Sequence, residues 1–486
     1  MKKGFAISSL VYSILILFII LVFGILGILG GRKVILDKMK NDLMSELNNE
    51  LVNNVYIDDS GANYPHLVDK MIPVIYDESK SNWVYASVYD KWYDYDDKMW
   101  ANAVVLKDNV IKAVGQEIKE DEIALMYVWI PRFKYVMFNA NNETSEEQQI
   151  DIIFENDINS TGTVKCVDAI NQTDTNGNLI SEICTDVTNG TIVNNFSTYT
   201  HPAFTFGSEE IEGFWVGKFE NSTTDEICLN ESNSDNCNKT HIIEIKANSD
   251  ALRYINISNM FTSIQNINTN YGIKNADSHM IKNMEWGAIA YLTQSKYGRC
   301  NNGVCEEVTI NNVRKNETTY TTQTGCAANE VSGEVSNVCQ NEYNTLGGFK
   351  ASTTGNIYGV YDMSGGSNEY VMANMVNYYG ELNSNESGII NIDEKYYDKY
   401  TYDISQYSYL RGKLGDNTKE TIKKINSIDG SWNLDQSTFS NNNYPWFARG
   451  GYFGDTTYTG LFMYGAGNGG SINNSSRSSR SILIKK

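Results

Sequence analysis

Residues 444–453 (YPWFARGGYF) and 478–484 (SSRSILI) decide the fold prediction for this chain of 486 residues. The first segment joins aromatic residues to an arginine and two glycines, and the second places an arginine before an apolar run. Between them the chain is rich in Gly, Tyr, Asn, Ser and Thr. Such residues are typical of adaptable recognition surfaces, because tyrosine adds contact area at low entropic cost. Across the whole chain an AT-rich genome would also explain the abundance of Asn, Tyr, Ile and Lys, and composition alone does not separate the two explanations.

A third segment, residues 356–365 (NIYGVYDMSG), completes the pattern. Together the three segments resemble the formylglycine-generating-enzyme (sulfatase-modifying factor) family, a variant of the C-type-lectin-like fold. That family reads N-x-Y-G-L-Y-D-M-x-G-N-V-W-E-W, then R-G-G-S-W, then a closing G-F-R. Its W-E-W element is reduced here to residues 368–370 (NEY). The resemblance implies scaffold roles for Asn356, Tyr358, Gly359, Asp362, Met363, Gly365, Glu369, Arg449, Gly450, Gly451 and Arg480.

Within that scaffold we expect the glycines to supply tight turns and Glu369 to anchor a loop. Asp362 and Arg480 are expected to pair across the core. Weaker matches at 121–133, 213–220 and 284–292 predict two core strands and a helix. The resemblance thus implies a head over 121–486, interrupted by polar insertions at 139–200, 221–240, 298–345 and 376–430.

The catalytic residues of that family are missing. No cysteine follows Cys339, so the two thiolates that a copper(I) site requires in this region are absent. The sequence also lacks an H-x-x-x-H-x-E segment and an evident Ser-His-Asp arrangement. We therefore predict no catalytic residues, no enzymatic activity and no cofactor. Structural calcium is left open, because Asp94, Asp96 and Asp97 favour a solvated turn yet could bind it, and no metal ligand can be named.

A binding role is the remaining prediction for the head. Residues between the last two scaffold segments would lie on loops held by a rigid frame. This arrangement resembles the variable proteins of diversity-generating retroelements, which display Asn and Tyr positions on the same fold. The candidate ligand-binding residues are Tyr452, Phe453, Asp455, Tyr458, Tyr464, Asn468 and Asn473.

The beginning of the chain predicts a membrane helix. No charged residue occurs from Gly4 to Gly31, a length that spans a hydrocarbon core of ~30 Å. An amphipathic helix is expected to follow over 32–56. Lys2, Lys3, Gly4 and Phe5 resemble the leader of type IV pilins, which would be cut between Gly4 and Phe5. Ser9 stands where pilins carry Glu, and an ordinary signal anchor is the alternative.

The eight cysteines form neighbouring pairs in polar stretches, which predicts local disulfides made outside the cytoplasm. The expected pairs are Cys166 with Cys184, Cys228 with Cys237, Cys300 with Cys305, and Cys326 with Cys339. The net charge of −20 argues against a nucleic-acid partner.

These observations predict an α+β protein. A long N-terminal membrane helix (1–31) and an amphipathic helix (32–56) would precede a connector and β-hairpin region (57–120) and a C-type-lectin-like head (121–486). The expected function is a membrane-anchored adhesin or fibre-tip pilin on the bacterial cell surface, with the head extracellular. Its partners would be the membrane, other pilin-like subunits and a cell-surface glycan or protein. The alternatives are a structural pseudopilin without a ligand, or the target of a diversity-generating retroelement.

Overall fold

The computed structural model describes residues 55–136, 147–159, 199–229, 237, 242–318, 320–402, 412–424, 427–470 and 476–486. Within it, Ile57–Lys486 forms one compact unit. The predicted membrane helix, the leader site at Gly4 and Phe5, and nearly all of the amphipathic helix lie outside the described residues. Cys166, Cys184 and Asn473 lie outside them as well.

Strands dominate the described residues. In chain order they are β1 (Met71–Asp77), β2 (Asn82–Tyr85), β3 (Asn102–Leu106), β4 (Glu117–Ile118), β5 (Ile123–Pro131), β6 (Phe133–Val136), β7 (Asp151–Phe154), β8 (Tyr199–Thr200), β9 (Thr205–Phe206), β10 (Glu209–Glu210), β11 (Gly213–Gly217), β12 (Ala276–Met280), β13 (Cys300–Asn301), β14 (Val304–Cys305), β15 (Cys326–Ala327), β16 (Asn341–Glu342), β17 (Asn368–Met375), β18 (Asp398–Tyr400), β19 (Trp446–Gly450), β20 (Gly460–Gly467), β21 (Arg477–Ser479) and β22 (Ser481–Lys485).

The helices of the described residues are short: α1 (Ile257–Gln265), α2 (Ile267–Tyr271) and α3 (Asn283–Thr293). The predicted α+β class with a long N-terminal helix is therefore corrected to a mostly β architecture for the part of the chain that the structure describes. No helix in that part is both long and apolar enough to cross a membrane. The predicted membrane-anchored localisation is therefore not supported by the part of the chain that the structure describes.

The first sheet has eight strands, in the order β12-β22-β11-β5-β3-β1-β2-β4. The predicted strands β5 and β11 are confirmed, and each is buried along its whole length. The β-hairpin predicted within 57–120 would pair the runs at 83–89 and 98–106, which correspond to β2 and β3. This prediction is wrong. Val74 of β1 pairs with Tyr85 of β2 and with Asn102 of β3, so β1 lies between them. β1 belongs to the segment predicted to be a connector, and it supplies the strand with which both β2 and β3 pair.

The second sheet has the order β18-β17-β19-β20, with β21 also paired to β17. Trp446, where β19 begins, pairs with Asn374 near the end of β17 and with Gly467 at the end of β20. At the opposite end, Arg449 pairs with Glu369 near the start of β17. One end of this sheet therefore gathers the loops that follow β17 and β20 and the loop that precedes β19. The other end carries the β19–β20 connection.

Arg480 is the single residue between β21 of the second sheet and β22 of the first, and it is fully buried. Its Nε donates to Glu369 Oε2 of β17 at 3.0 Å, and its Nη1 donates to the Gly217 carbonyl of β11 at 2.8 Å. Nη2 donates to the carbonyl of Tyr361 at 2.9 Å. One guanidinium thus ties both sheets to the 356–365 segment. The expected pairing of Arg480 with Asp362 is wrong, because Glu369 is its carboxylate partner.

Lys218 holds the same segment from the first sheet. Its Nζ donates to Asn102 Oδ1 at 2.9 Å and to the carbonyls of Ile357 and Gly359 at 2.6 and 2.8 Å. Burial lowers the pKa of Lys218 well below its ordinary value. Three acceptors match the three N–H donors of an ammonium group, so these contacts oppose that shift and favour the charged form. Asp362, which was expected to pair with Arg480, accepts a hydrogen bond from Asn311 Nδ2 at 2.8 Å instead.

The predicted helix over 284–292 is confirmed as α3, which is buried on all sides. Trp286 Nε1 donates to the Leu461 carbonyl at 2.9 Å, and Arg449 Nε donates to Asn283 Oδ1 at 2.6 Å. At Gly287 a Cβ would lie 1.9 Å from the Gly415 carbonyl oxygen, so only glycine permits this approach. The helix is thereby fixed against the second sheet.

Glu420 is a buried carboxyl group beside α3. It accepts hydrogen bonds from Tyr291 Oη and the Gly415 N–H, both at 2.6 Å, and from Tyr135 Oη at 3.0 Å. Burial raises the pKa of Glu420 from 4.5 to about 7, against the opposing effect of these donors. The proton is therefore held more tightly in the folded chain than in the unfolded one.

Three of the predicted disulfides lie in the described residues and are confirmed: Cys228–Cys237, Cys300–Cys305 and Cys326–Cys339. Each joins residues that are close in sequence, so each staples a local loop rather than distant strands.

We expect Arg480→Met to lower the free energy of unfolding by about 3–5 kcal/mol, because Glu369 would be left buried without its partner. Urea unfolding of the full chain measures this effect. Lys485→Met, at an exposed position of β22, is the matched control and should change stability by less than about 0.5 kcal/mol. A loss for Arg480→Met no larger than that of the control would refute the central role of this pair.

We expect stability to fall as pH rises through about 7, in proportion to the ionisation of Glu420. Its folded-state pKa lies above the unfolded value, so its contribution is complete below pH 4.5 and is lost as pH rises through 7. Relative to Glu420→Gln, the wild type should lose up to about 3 kcal/mol between acidic and mildly alkaline pH. Unfolding titrations across that range test this, with exposed Glu117→Gln as control. Parallel pH profiles for wild type and Glu420→Gln would contradict it.

Non-reducing peptide mapping of the oxidised chain should recover the three described disulfides and a fourth bond between Cys166 and Cys184. Each closes a short loop and should contribute about 2–3 kcal/mol in the chain-entropy picture. Peptides that join cysteines of different pairs would overturn the assignment.

Candidate functional site

The seven candidate ligand-binding residues do not form one surface. Four lie in the β19–β20 connection at one end of the second sheet, one lies at the opposite end, one lies inside β20, and one is outside the described residues. In that order they are Tyr452, Phe453, Asp455 and Tyr458; then Asn468; then Tyr464; then Asn473.

Two of the candidates are framework residues in the structure. Tyr464 is fully buried, and the Arg449 guanidinium lies 5.4 Å from its ring centroid. Phe453 is also buried, and its ring stacks on Tyr320 with centroids 6.2 Å apart. Neither ring is open to a ligand in this conformation.

The connection surface, defined as Tyr320, Tyr452, Asp455 and Tyr458, is partly open. Tyr320 is 40% exposed and lies 5.9 Å from the Arg314 guanidinium. Burial raises the pKa of Asp455 to about 6, while the Tyr452 N–H acts in the opposite direction. Tyr452 and Tyr458 are half-buried, and the rings of Tyr320 and Tyr452 both contact Phe453.

The tyrosine surface, defined as Tyr378, Tyr379, Tyr402 and Tyr444, lies at the opposite end of the second sheet. Tyr378 and Tyr379 are 77% and 83% exposed, and Tyr444 is 50% exposed. Tyr378 and Tyr379 follow β17, Tyr402 follows β18 and Tyr444 precedes β19. Large exposed aromatic groups of this kind are uncommon on a monomer unless they serve recognition.

The loop that carries Tyr378 and Tyr379 is braced from within. Asn377 Oδ1 accepts the N–H groups of Tyr379 and Glu381 at 2.9 and 3.0 Å. The Asn377 N–H donates to the Glu381 carbonyl at 2.8 Å, which closes the turn. These contacts fix the backbone that carries Tyr378 and Tyr379, whose side chains are largely exposed to solvent.

Amide side chains also fasten this loop to its neighbours. The buried Asn374 exchanges two hydrogen bonds with the backbone of Asn383, at 2.9 and 3.0 Å. Asn385 Nδ2 donates to the Asn443 carbonyl at 2.7 Å, next to Tyr444. Asn468, the candidate residue at this end, donates to Glu386 of the same loop. The loop is therefore a rigid support for the tyrosine surface.

The rings of the tyrosine surface stand at right angles. Tyr378 meets Tyr379 with centroids 5.6 Å apart and an interplanar angle of 82°. Tyr378 meets Tyr402 at 5.8 Å and 90°. The rings of Tyr378, Tyr379 and Tyr402 therefore form a right-angled aromatic corner, with Tyr378 in contact with both of the others.

A cavity of about 330 Å³ lies elsewhere, lined by His66, Trp129, Ile158, Glu209, Glu210, Ile211, Glu212, Gly213, Ile484, Lys485 and Lys486. Several of its charged groups already have partners. Glu212 contacts His66 at 2.6 Å, which lowers the pKa of Glu212, and Glu210 contacts Arg132 at 2.6 Å. The cavity is therefore a weaker candidate than the tyrosine surface.

The most enzyme-like cluster of the described residues is buried. His279 contacts Asp277 Oδ1 through Nδ1 at 3.2 Å and Glu285 Oε1 through Nε2 at 3.1 Å. Burial opposes protonation, yet the two carboxylates prevail and raise the pKa of His279. Because its ring is fully buried, it has no access to a substrate. Among the residues described, no three His, Cys, Asp or Glu side chains are placed to hold a metal ion.

Tyr378, Tyr379 and Tyr444 were not among the sequence candidates. The signal that could have found them is the Asn-Tyr-Tyr-Gly run at 377–380, because Asn and Gly indicate a turn that presents the residues between them. This run lies in the predicted insertion at 376–430, which shows no resemblance to the family.

No family model matches the chain, and no curated protein matches it. Among solved structures, the chain is similar to one described as Major Tropism Determinant I1 Variant, with a TM-score of 0.25 and 12% sequence identity. The similarity covers 88% of this chain and 97% of that chain. Values of this size establish neither fold nor function, so the resemblances to formylglycine-generating enzymes and to type IV pilins stay predictions.

Proposed function

We propose that this chain is a ligand-binding, adhesin-like protein and that the tyrosine surface is its recognition site. The observation that carries the proposal is the exposure of Tyr378 and Tyr379 on a braced loop. A rigid support lowers the entropy lost on binding, and exposed tyrosines supply contact area with few rotatable bonds. The role assigned is recognition, with no catalytic step.

The ligand classes that fit are a glycan or a protein. The net charge of −20 disfavours a polyanion as the partner. Aromatic side chains such as Tyr are enriched among residues that dominate binding energy. The half-open connection surface at the other end of the sheet is the competing location on the same molecule.

We expect the double variant Tyr378→Ala and Tyr379→Ala to weaken ligand capture by at least about tenfold, since each tyrosine is expected to contribute more than about 1 kcal/mol. Capture of the full-length chain on glycan and protein arrays measures this change. The melting temperature should stay near that of the wild type, because both side chains are exposed.

Tyr89→Ala is the matched control, because Tyr89 is exposed but lies in a loop of the first sheet. It should leave both capture and stability unchanged. If Tyr320→Ala and Tyr452→Ala abolish capture while the double variant retains it, the recognition site is the connection surface and the assignment is wrong.

A further inference from the structure

We propose that the tyrosine surface binds a quaternary or fully methylated ammonium group, in the corner that Tyr378 forms with Tyr379 and Tyr402. This inference rests on the proposed function and names the chemical class that the surface recognises.

The ring geometry fits a cation. A cation within about 6 Å of an aromatic centroid is attracted by the negative face of the ring. The centroid of Tyr378 lies 5.6 Å from that of Tyr379 and 5.8 Å from that of Tyr402, and both pairs are close to perpendicular. One ammonium group can therefore lie within range of Tyr378 and a neighbouring ring at once. Bulky methylated ammonium ions suit such aromatic walls, because their surface is apolar and their charge is diffuse.

The turn that carries two of the rings also carries a charge of the matching sign. Asn377 Nδ2 donates to Glu381 Oε2 at 3.2 Å, which holds this carboxylate on the turn that carries Tyr378 and Tyr379. The backbone of Glu381 is bonded to Asn377 as well, so its position is fixed with the loop. A carboxylate beside aromatic rings favours a cation and repels an anion.

The amides that border the rings are used within the loop rather than offered to a ligand. Asn377 uses its oxygen and its nitrogen within the turn. Asn383 and Asn385 donate to the carbonyls of Asn442 and Asn443. The exposed side chains of the turn are therefore Tyr378 and Tyr379, with their ring faces and phenolic hydroxyls, and Glu381.

The test is a calorimetric titration of the full-length chain with choline and with its uncharged isostere, in which a tert-butyl group replaces the trimethylammonium group. Choline should bind saturably, and the isostere at least about tenfold more weakly, because only choline gains the cation–π attraction. Tyr378→Ala should weaken choline binding by about tenfold or more, whereas Tyr378→Phe keeps the ring and should retain it. Glu381→Gln should weaken binding severalfold.

Tyr89→Ala is the control, because Tyr89 is exposed but lies in a loop of the first sheet, outside the tyrosine surface. It should leave choline binding unchanged. Equal binding of choline and its isostere would overturn the inference, as would choline binding that survives Tyr378→Ala. If choline does not bind while Tyr378→Ala still abolishes array capture, the ammonium inference fails and the proposed function stands. If array capture is also indifferent to Tyr378, both fail.

Discussion

The fold depends on the buried ion pair between Arg480 and Glu369. Arg480 lies at the point where the chain passes from one sheet to the other, and its donors reach β17, β11 and the 356–365 segment. A buried charge is costly unless its partners are complete, so this contact requires both sheets to be correctly formed at once. Arg449, by contrast, is fully buried yet donates to neutral oxygens of Asn283, Met463 and Asp416, which lock α3 onto the second sheet. The two arginines make one cooperative core from two sheets and a helix.

Local sequence predicted the elements whose burial is self-evident. The family resemblance at β5 and β11 and the helical spacing of α3 matched the structure, and all three elements are buried on every side. It failed at β1, where Pro73 interrupts the run and argues against a central strand. Local sequence also failed to predict the carboxylate partner of Arg480. Three buried carboxyl groups, those of Glu220, Asp362 and Glu369, lie near this arginine, and only the strand register decides which of them it contacts.

The candidate site shows the same limit. Tyr464, a candidate from the sequence, is buried, whereas Tyr378, in a predicted insertion, is exposed. Gln436 and Thr438 exchange backbone hydrogen bonds with Tyr464 and cover it, a contact between residues that no periodicity links. Exposure of a tyrosine in this chain therefore depends on contacts between residues distant in sequence, and composition could indicate recognition without locating it.

The position of β22 has a consequence for synthesis. This strand lies between β12 and β11 inside the first sheet, although it follows every other strand of that sheet in sequence. β11 and β12 have no other link to each other in the sheet, so it cannot close on the ribosome before residues 481–485 have emerged. Until then its unpaired strand edges are exposed, which is the condition that favours aggregation and recruits chaperones. Completion of the first sheet is thus coupled to the synthesis of residues 481–485, which follow all of its other strands.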